Sequence, residues 1–334
     1  MKTNLGVSII ICSHNSERII EKTLRTLIKQ KTSLRKNWEI LLIDNRSDDN
    51  TLKIAESLIA ESKVLKSKLR IIKENKLGIS NARLRGLRSA KYEILSFIDD
   101  DNIISQNWIE TVASIMERHP EVGACGGQNK APRITKKPFW FEKYKECYAI
   151  GKQATKSGDI TLSRGFVWGA GMSIRKKAWE EINKRGFKFF LTGRVGNKRS
   201  AGEDSELCFA LRLAGWKIWY QSDLVLVHDI DLNRLNWNEL RKMFRGFGVG
   251  RAGHDPYFFA EKAPKFSQHW YIQALIVLIN ILKKTDQFIL SRFKSVEGNN
   301  DELKIEHKIG HLIFLLRKRS KFDKWTNYLR TNLL

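Results

Sequence analysis

The chain has 334 residues, and its 60 lysines and arginines against 36 aspartates and glutamates give a formal net charge of +24 at pH 7. The length accommodates one large domain with an appendage or two domains, and the charge favours polyanionic partners, namely nucleic acid, an anionic membrane surface or phosphorylated substrates. The four cysteines have no C-x-x-C spacing and no apolar run approaches roughly 18 residues, which excludes a structural zinc site and a conventional membrane-spanning helix. We expect a reducing, cytosolic environment.

Four apolar, β-branched runs near the start of the chain predict strands. Each precedes a segment whose apolar residues fall on one helical face. Continuous apolar strands that alternate with amphipathic helices are typical of an α/β domain, with a mostly parallel sheet covered by helices on both faces. The runs are VSIIIC (Val7–Cys12), WEILLI (Trp38–Ile43), LRII (Leu69–Ile72) and YEILSFI (Tyr92–Ile98).

The pattern changes after these four units. VWGAGMSI (Val167–Ile174) predicts a strand whose glycines allow a ligand or another backbone to approach closely. WKIWY and LVLVH, the latter ending at His228, predict two further short strands, and the segments beyond them are predicted to be helical. We therefore expect a boundary near residue 235, between a strand-containing domain over 1–235 and a helical region over 236–334.

Polar and acidic residues follow three of the predicted strands. In an open sheet of this kind ligands bind beyond the carboxyl ends of the strands. Asp99 and Asp101 form a D-x-D pair whose carboxylates can share one face of an extended segment, and such carboxylates, with phosphates, are usual ligands of Mg²⁺ or Mn²⁺. The alternative is that the first aspartate caps a helix beginning near Ser105. The three clusters are SHN (Ser13–Asn15), DNRSDD (Asp44–Asp49) and DDDN (Asp99–Asn102).

A second acidic pair, Glu203 and Asp204, follows a glycine and opens a predicted helix. One interpretation is helix capping, because the helix dipole favours negative charge at this end. The other is that one of the two carboxylates is a general base that takes a proton from a bound hydroxyl. Both interpretations stay open at this point.

Six motifs, in their order and spacing, resemble glycosyltransferase family 2, the inverting nucleotide-sugar transferases of GT-A fold. The resemblance runs from about Val7 to His228, roughly two thirds of the chain. It implies a Rossmann-like catalytic domain followed by a C-terminal helical region. The motifs are VSIIICSHN, EILLIDNRSDD, GISNARLRGLRSAKYEILSFIDDD, GAGMSIRKKAWEEI, GEDSELCFALRLAGWKIWY and LVLVH.

The resemblance implies a donor, an acceptor and a cation. The donor is a nucleoside-diphosphate sugar, with a UDP-sugar expected first, and the acceptor is a hydroxyl of a glycan or lipid-linked molecule in surface polysaccharide synthesis. A divalent cation, Mn²⁺ or Mg²⁺, would be held by Asp101 and Asp99, with His228 as a further ligand. Asp204, beside Glu203, matches the general base of a single inverting displacement. The residues placed against the nucleotide sugar are Ser13, His14, Asn15, Asp44, Asn45, Arg83, Asp99 and Asp100. Of the three adjacent aspartates, Asp100 is expected to be the most dispensable.

Two basic segments allow alternatives. The loop LTGRVGNKRSAGED, which includes Arg194, is either a solvated surface loop or a lid that brings cations to the diphosphate. In the helical region, WYIQALIVLINIL (Trp270–Leu282) is too short to span a bilayer. This segment and the basic IGHLIFLLRKRSKFDKW either lie on an anionic membrane surface, at the inner face of the plasma membrane, or pack on the catalytic domain or a second subunit.

Two other functions compete with glycosyl transfer. A non-catalytic nucleotide-sugar or glycan-binding relative has no need of both the D-x-D and the E-D pairs. A nucleic-acid-binding protein suits the net charge and the aromatic residues among the basic ones. However, no recognised nucleic-acid module is present, and aspartates at the strand ends repel phosphate unless a cation intervenes. We therefore expect an enzyme and no nucleic-acid partner.

Overall fold

The computed structural model describes residues 5–33, 37–134, 136–193, 202–283 and 297–334. Its strands are β1 (Val7–Ser13), β2 (Trp38–Asp44), β3 (Leu69–Lys73), β4 (Ile94–Phe97), β5 (Asn102–Ile104), β6 (Val122–Lys130), β7 (Gly158–Asp159), β8 (Ser173–Arg175) and β9 (Lys217–His228). Within these residues all nine strands form one sheet in the order β3-β2-β1-β4-β8-β6-β9-β5, with β7 paired to β9.

Helices flank this sheet and continue beyond it. Those among the strands are α1 (Ile20–Ile28), α2 (Thr51–Glu61), α3 (Lys63–Lys68), α4 (Ile79–Ser89), α5 (Trp108–Arg118), α6 (Phe141–Tyr144), α7 (Lys176–Lys184) and α8 (Glu203–Leu213). The described helices after β9 are α9 (Trp237–Ala260), α10 (Trp270–Leu282), α11 (Asn300–Lys318) and α12 (Ser320–Asn332).

The first half of the sheet is the parallel part that the alternating strands and helices predict. β1 pairs in parallel with β2 and β4, and β2 pairs in parallel with β3. Every residue of β1 and β2 is buried, because helices cover both faces here. Alternate side chains serve two cores: Ile10 packs with residues of α4, α7 and α8, and Ile9 packs with residues of α1, α2 and α5.

The second half of the sheet is mixed. β8 is antiparallel to both of its neighbours, and β9 is parallel to β6 and antiparallel to β5. The strand predicted over Val167–Ile174 forms only at β8, because Gly171 adopts a φ of +79° and the chain turns there. The two short strands predicted at WKIWY and LVLVH are one strand, β9, since residues 221–223 between them stay extended.

Two glycines let α9 and α11 cross with their backbones in contact. A Cβ atom on Gly310 would lie 1.9 Å from the carbonyl oxygen of Arg245, and one on Gly248 would meet the α11 backbone similarly closely. Beside the crossing, the buried carboxylate of Glu306 accepts hydrogen bonds from Arg241 (2.9 Å) and Arg245 (2.7 Å). Any side chain at the crossing forces the two helices apart.

Gly310→Ala is therefore expected to lower the free energy of unfolding by about 1–3 kcal/mol. Helix propensity alone predicts the opposite sign, because alanine stabilises a helix interior by up to about 1 kcal/mol relative to glycine. Urea unfolding followed by circular dichroism measures the change, and Arg317→Ala, at an exposed site in the last turn of the same helix, is the control. A more stable Gly310→Ala protein would contradict the backbone contact.

The helical region packs against the α/β part of the chain. The hydroxyl of Tyr257 on α9 donates to Glu206 on α8 (2.7 Å), and Nε2 of His254 on α9 donates to the carbonyl oxygen of Gly202 (2.7 Å). Arg185, which directly follows α7, donates to the carbonyl oxygen of Leu333, which directly follows α12 (3.0 Å). Helix α9 and the end of the basic tail thus contact the α/β part of the chain.

Helix α10 differs from its neighbours. Only Ala274 and Val277 among its residues are buried, so most of this apolar helix faces outward. In the described ranges, no helix combines the length and the apolar character that crossing a bilayer requires. The six large apolar side chains that α10 exposes are Tyr271, Leu275, Ile276, Leu278, Ile279 and Leu282.

Candidate active site

The three adjacent aspartates follow β4 and lead directly into β5. They cap no helix, because α5 begins only at Trp108. β5 pairs antiparallel with β9, and Asn102 lies opposite His228 in that pairing. As a result Oδ2 of Asp101 lies 3.3 Å from Nε2 of His228, so two predicted cation ligands that are far apart in the sequence meet.

Asn102 orients the aspartates before it. Its side-chain Nδ2 donates to Oδ1 of Asp101 (2.9 Å), and its Oδ1 accepts from the backbone N–H of Asp99 (3.1 Å). The side chain is completely buried, and its position is therefore fixed. The sequence does not single out Asn102 beyond its place directly after the D-x-D pair.

His228 turns Nε2 toward the site. Its Nδ1 lies 2.8 Å from the carbonyl oxygen of Tyr148, and because a carbonyl only accepts, Nδ1 carries a proton. This arrangement is typical of a histidine whose other nitrogen binds a metal. Burial lowers the pKa of His228, but Asp101, Asp99 and the hydrogen bond to Tyr148 together outweigh burial and raise the pKa above its usual value. Burial raises the pKa of Asp101, but His228, Arg234 and a backbone hydrogen bond together outweigh burial and lower the pKa.

These side chains suit a divalent cation. Asp99, Asp101 and His228 offer the oxygen and imidazole donors that Mn²⁺ or Mg²⁺ accepts. In the part of the chain that the structure describes, no three His, Cys, Asp or Glu side chains are arranged to hold a metal ion by themselves. That fits a cation that takes one or two carboxylates from the protein and its remaining ligands from substrate phosphates, as Mg²⁺ usually does.

Arg83, on α4, lies between the two acidic clusters. Its buried guanidinium places Nη1 3.2 Å from Oε1 of Glu203 and Nη2 3.9 Å from Oδ1 of Asp99, and it lies over the ring of Phe97. Burial lowers the pKa of Arg83, but the carboxylates around it outweigh burial and raise the pKa above its usual value. Arg83 therefore keeps its charge and offsets the mutual repulsion of the carboxylates.

Glu203 and Asp204 have different surroundings. Glu203 is buried against Arg83, and burial raises its pKa to about 7. Asp204 is half-buried, and its Oδ1 accepts from the N–H of Ser205 (2.8 Å) while its Oδ2 accepts from the N–H of Gly169 (2.6 Å). These two backbone donors fix the position of the Asp204 side chain, which remains partly accessible.

Gly169 provides the space in which Arg83 and Asp204 approach each other. A Cβ atom at this position would lie 2.8 Å from Nη2 of Arg83 and 2.9 Å from Oδ2 of Asp204. The close approach predicted for the glycines of VWGAGMSI thus occurs, and the groups that approach are side chains of the site. Beside it, the ring of Trp168 lies 4.9 Å from the guanidinium of Arg164.

The ends of β1 and β2 carry residues predicted to bind the nucleoside. Ser13 is buried, and its hydroxyl has no hydrogen-bond partner among the residues that the structure describes. Since buried hydroxyls are normally paired, this one marks a place where a ligand can supply the partner. Asp44 is also buried and accepts from the N–H of Ser47 (3.1 Å).

Asn45 uses its amide inside the protein. Its Nδ2 donates to the carbonyl oxygens of Glu74 (3.0 Å) and Lys76 (2.9 Å), and its Oδ1 accepts from the N–H of Gly78 (2.7 Å). These bonds fix the loop between β3 and α4 against the end of β2. Asn45 therefore has its amide engaged inside the protein, and its contact with the base stays a prediction.

His14 and Asn15 lie in the loop after β1 and are exposed. Asn15 adopts a left-handed φ of +55°, which asparagine tolerates better than most residues. Its Oδ1 accepts from the N–H of Asp48 (3.0 Å), and its own N–H donates to Oγ of Ser47 (3.2 Å). Asn15 thus joins the two loops that border the predicted nucleoside pocket.

Asp100 contacts the start of α1. Its carboxylate accepts from the hydroxyl of Ser16, and its carbonyl oxygen accepts from the hydroxyl of Thr23 (2.8 Å). Its side chain therefore serves the loop structure, while its dispensability for chemistry stays a prediction. Arg194 lies outside the described residues.

Glu206 is a buried carboxylate that the sequence patterns do not single out. Its Oε1 accepts from the N–H of Phe190 (2.8 Å) and the hydroxyl of Tyr257 (2.7 Å), and its Oε2 accepts from the N–H of Leu191 (3.0 Å). Burial raises the pKa of Glu206 to about 8, although these hydrogen bonds act in the opposite direction. One side chain on α8 thus joins the loop before α8 to α9, close to Asp204.

The Glu206→Gln protein is expected to gain stability relative to the wild type as the pH rises from 4.5 toward about 8. The folded chain binds the Glu206 proton more tightly than the unfolded chain, so the stability that this group contributes is complete below its usual pKa of 4.5 and is lost as the pH passes about 8. Glutamine does not titrate. Urea unfolding over this range measures the difference, with the exposed Glu180→Gln as control. A relative loss of stability at high pH would show that the native carboxyl is ionised throughout.

The sequence is similar to a known protein family and to several named proteins. The family model described as "Glycosyl transferase family 2" matches residues 8–182, just over half of the chain. A glucosyl-dolichyl phosphate glucuronosyltransferase of Haloferax volcanii is 22% identical over 250 residues, which cover 74% of this chain and 75% of that protein. A chondroitin synthase of Pasteurella multocida is 33% identical over 168 residues, which cover 49% of this chain and 17% of the synthase.

Solved structures share the fold. TarS 1-349 of S. aureus in complex with UDP-GlcNAc has a TM-score of 0.54 and 14% identity, over 95% of this chain and 92% of that one. The mannosyltransferase PcManGT from Pyrobaculum calidifontis, in complex with GDP-Man and Mn²⁺, has a TM-score of 0.56 and 15% identity, over 96% and 88% of the two chains. The predicted fold class, an α/β domain followed by a helical region, is confirmed.

Proposed function

The chain belongs to glycosyl transferase family 2 and is a glycosyltransferase, and from this premise we propose that it moves a sugar from a nucleoside-diphosphate sugar to a hydroxyl of a glycan or lipid-linked acceptor, with inversion. One observation carries the proposal. The buried Arg83 separates a cluster suited to a cation and a diphosphate, Asp99 with Asp101 and His228, from one accessible carboxylate, Asp204.

Asp204 acts as the general base. Held by the two backbone N–H groups, its carboxylate takes the proton of the acceptor hydroxyl while that oxygen bonds to the anomeric carbon on the face opposite the diphosphate. The bond between the anomeric carbon and the diphosphate oxygen breaks in the same displacement, and its electron pair leaves with the diphosphate. One carboxylate is sufficient for this reaction, so Glu203 remains free to neutralise Arg83.

Asp101 and Asp99 would hold the divalent cation, with His228 as a further ligand and the donor's phosphates supplying the remaining ones. When bound, Mn²⁺ or Mg²⁺ supplies Lewis-acid stabilisation of the negative charge that develops on the departing diphosphate. Asn102 keeps both aspartates in place, and Arg83 adds a permanent positive charge next to Asp99. The donor's nucleoside is placed at the ends of β1 and β2, where the hydroxyl of Ser13 has no partner in the described chain and Asp44 lies opposite Ser13 in the strand pairing.

The donor and acceptor classes are proposed from the relatives. A UDP-sugar is the first candidate because a neighbouring structure holds UDP-GlcNAc, and GDP-mannose is the second because another holds GDP-Man. The two relatives by sequence are named for a dolichyl-phosphate-linked sugar and for chondroitin. We therefore propose an acceptor that is a growing surface polysaccharide or its lipid-linked precursor.

The purified protein is expected to release free nucleoside diphosphate from one donor in a panel of UDP-sugars and GDP-sugars. Release requires Mn²⁺ or Mg²⁺ and stops when EDTA removes the cation. Asp159→Asn, at an exposed aspartate in the short strand β7, is the control for substitutions of Asp101 and Asp204 and should retain full activity. The proposal fails if no donor is bound or hydrolysed under any of these conditions.

A further inference from the structure

The outward surface of α10 is the most concentrated apolar feature on the described part of the chain. Six of the twelve large apolar side chains that are exposed there lie on this one helix, with exposed fractions of 40–62%. These six are Tyr271, Leu275, Ile276, Leu278, Ile279 and Leu282, here called the α10 face. Such an exposed patch on a folded chain normally marks an interaction surface.

The α10 face has a basic rim. Lys262 and Lys265 precede the helix, Lys283 follows it, all three are exposed, and residues 262–283 contain no aspartate or glutamate. At the helix start, Asp323 of α12 accepts from the N–H of Trp270 (2.9 Å). Further basic residues lie close to Asp323 in the sequence. They are Arg317, Lys318, Arg319, Lys321 and Lys324.

We propose that the α10 face docks on the surface of an anionic lipid bilayer, with the helix lying in the plane of the membrane. A helix of 13 residues is too short to span a bilayer, whereas an apolar face with basic residues around it suits the headgroup boundary. The aromatic side chains at the start of the helix, Trp270 and Tyr271, suit the same boundary, because each has an apolar ring and one polar group that can stay in water.

The charge distribution favours a bilayer over a second copy of this chain. Two copies that met face to face through α10 would bring the same basic rim together twice, because such an interface uses the same patch on both subunits. Anionic headgroups neutralise the rim instead, and each lysine or arginine near the surface strengthens binding. The apolar face and its basic rim therefore fit an anionic bilayer better than a second copy of this chain.

The position of α10 relates membrane docking to glycosyl transfer, and this step of the inference rests on the proposed function. On its inner side, Ala274 and Val277 pack in one cluster with Leu191. The backbone N–H of Leu191 donates to Glu206, on the helix that begins with Glu203 and Asp204. A membrane against the outer face of α10 is thus separated from the helix that carries the proposed base by α10 and the segment around Leu191, and the docking would bring a lipid-linked acceptor toward this end of the protein.

Vesicle sedimentation with the full chain tests the proposal in the absence of donor. The wild type is expected to bind vesicles of phosphatidylcholine and phosphatidylglycerol at low salt, and to bind pure phosphatidylcholine or high-salt samples more weakly. Leu275→Glu with Ile279→Glu should reduce binding at least about tenfold. Leu162→Glu is the matched control, because this leucine is 97% exposed in a turn away from α10. Lys262→Glu with Lys265→Glu should also lose about tenfold, and Lys63→Glu with Lys66→Glu on α3 should not.

Three results overturn the proposal: no binding of the wild type to either kind of vesicle, equal binding of the protein that carries both Leu275→Glu and Ile279→Glu and of the Leu162→Glu protein, or a wild-type dimer that the α10 substitutions dissociate. Nucleoside diphosphate release measured without vesicles should be unchanged in the α10 variants, which shows that they fold. If the wild type binds vesicles yet releases no nucleoside diphosphate from any donor, the docking stands and the proposed function fails.

Discussion

Asp204→Asn is expected to slow glycosyl transfer by about 10²–10⁴-fold, the range that a positioned general base contributes. Asparagine matches the shape of aspartate and can still accept from Gly169 or Ser205, so the start of α8 should keep its structure. It cannot take the proton of the acceptor hydroxyl. The turnover number therefore falls while the dissociation constant of the donor stays the same, and steady-state kinetics with calorimetric titration of the donor measures both.

Glu203→Gln separates this role from a structural one. Because Glu203 is buried against Arg83, its substitution should lower thermal stability and weaken donor binding as well as activity. Asp204→Asn should change turnover alone. A wild-type turnover number in Asp204→Asn would assign the base to another residue.

Asp101→Asn is expected to remove cation-dependent binding of the donor and to reduce activity by about 10²–10³-fold, because a Lewis acid stabilises the transition state by several kcal/mol. The measurement that does not depend on turnover is the affinity for Mn²⁺ in the presence of nucleoside diphosphate, read by electron paramagnetic resonance. Asp101 is the aspartate in contact with His228, so its loss should weaken Mn²⁺ binding more than the loss of Asp99.

Two neighbours serve as controls for Asp101→Asn. Asp229 lies just beyond the end of β9 but pairs with Lys22 on α1 (2.7 Å), so Asp229→Asn should bind Mn²⁺ normally. Asp100 bonds to Ser16, and Asp100→Asn should likewise keep the cation while losing some stability. If Asp100→Asn lost the cation and Asp101→Asn kept it, the ligand assignment would be wrong.

Much of the fold could be predicted because its signals are local. The apolar runs of β1 and β2 and the amphipathic helices after them each carry their own pattern, and alternation of the two predicts parallel pairing with covered faces. The location of Asp99 just after a strand, at the edge where open sheets of this kind bind ligands, followed from the same pattern. The family resemblance extended this to the roles of individual residues.

The remaining features depend on contacts between distant parts of the chain. β5 is three residues long and has no periodicity of its own, yet its pairing with β9 is what brings Asp101 to His228. Burial distinguishes Glu203 from Asp204, although the two are adjacent in sequence and chemically alike. No sequence pattern identifies Glu206 either, because its three hydrogen-bond donors come from the loop before α8 and from α9.

The bonds that α8 makes with α9 bear on how this protein can be divided. Cutting the chain near residue 235, where the strands end, would leave Glu206 without the hydroxyl of Tyr257 and Gly202 without its bond from His254. Both losses would occur beside Asp204, because Gly202 directly precedes α8 and Glu206 lies in its first turn. We therefore expect that the α/β part does not keep the structure around Asp204 when it is separated from the helical region. Recombination or engineering that exchanges the helical region must also exchange its contacts with α8, so specificity carried by the two halves should be inherited together.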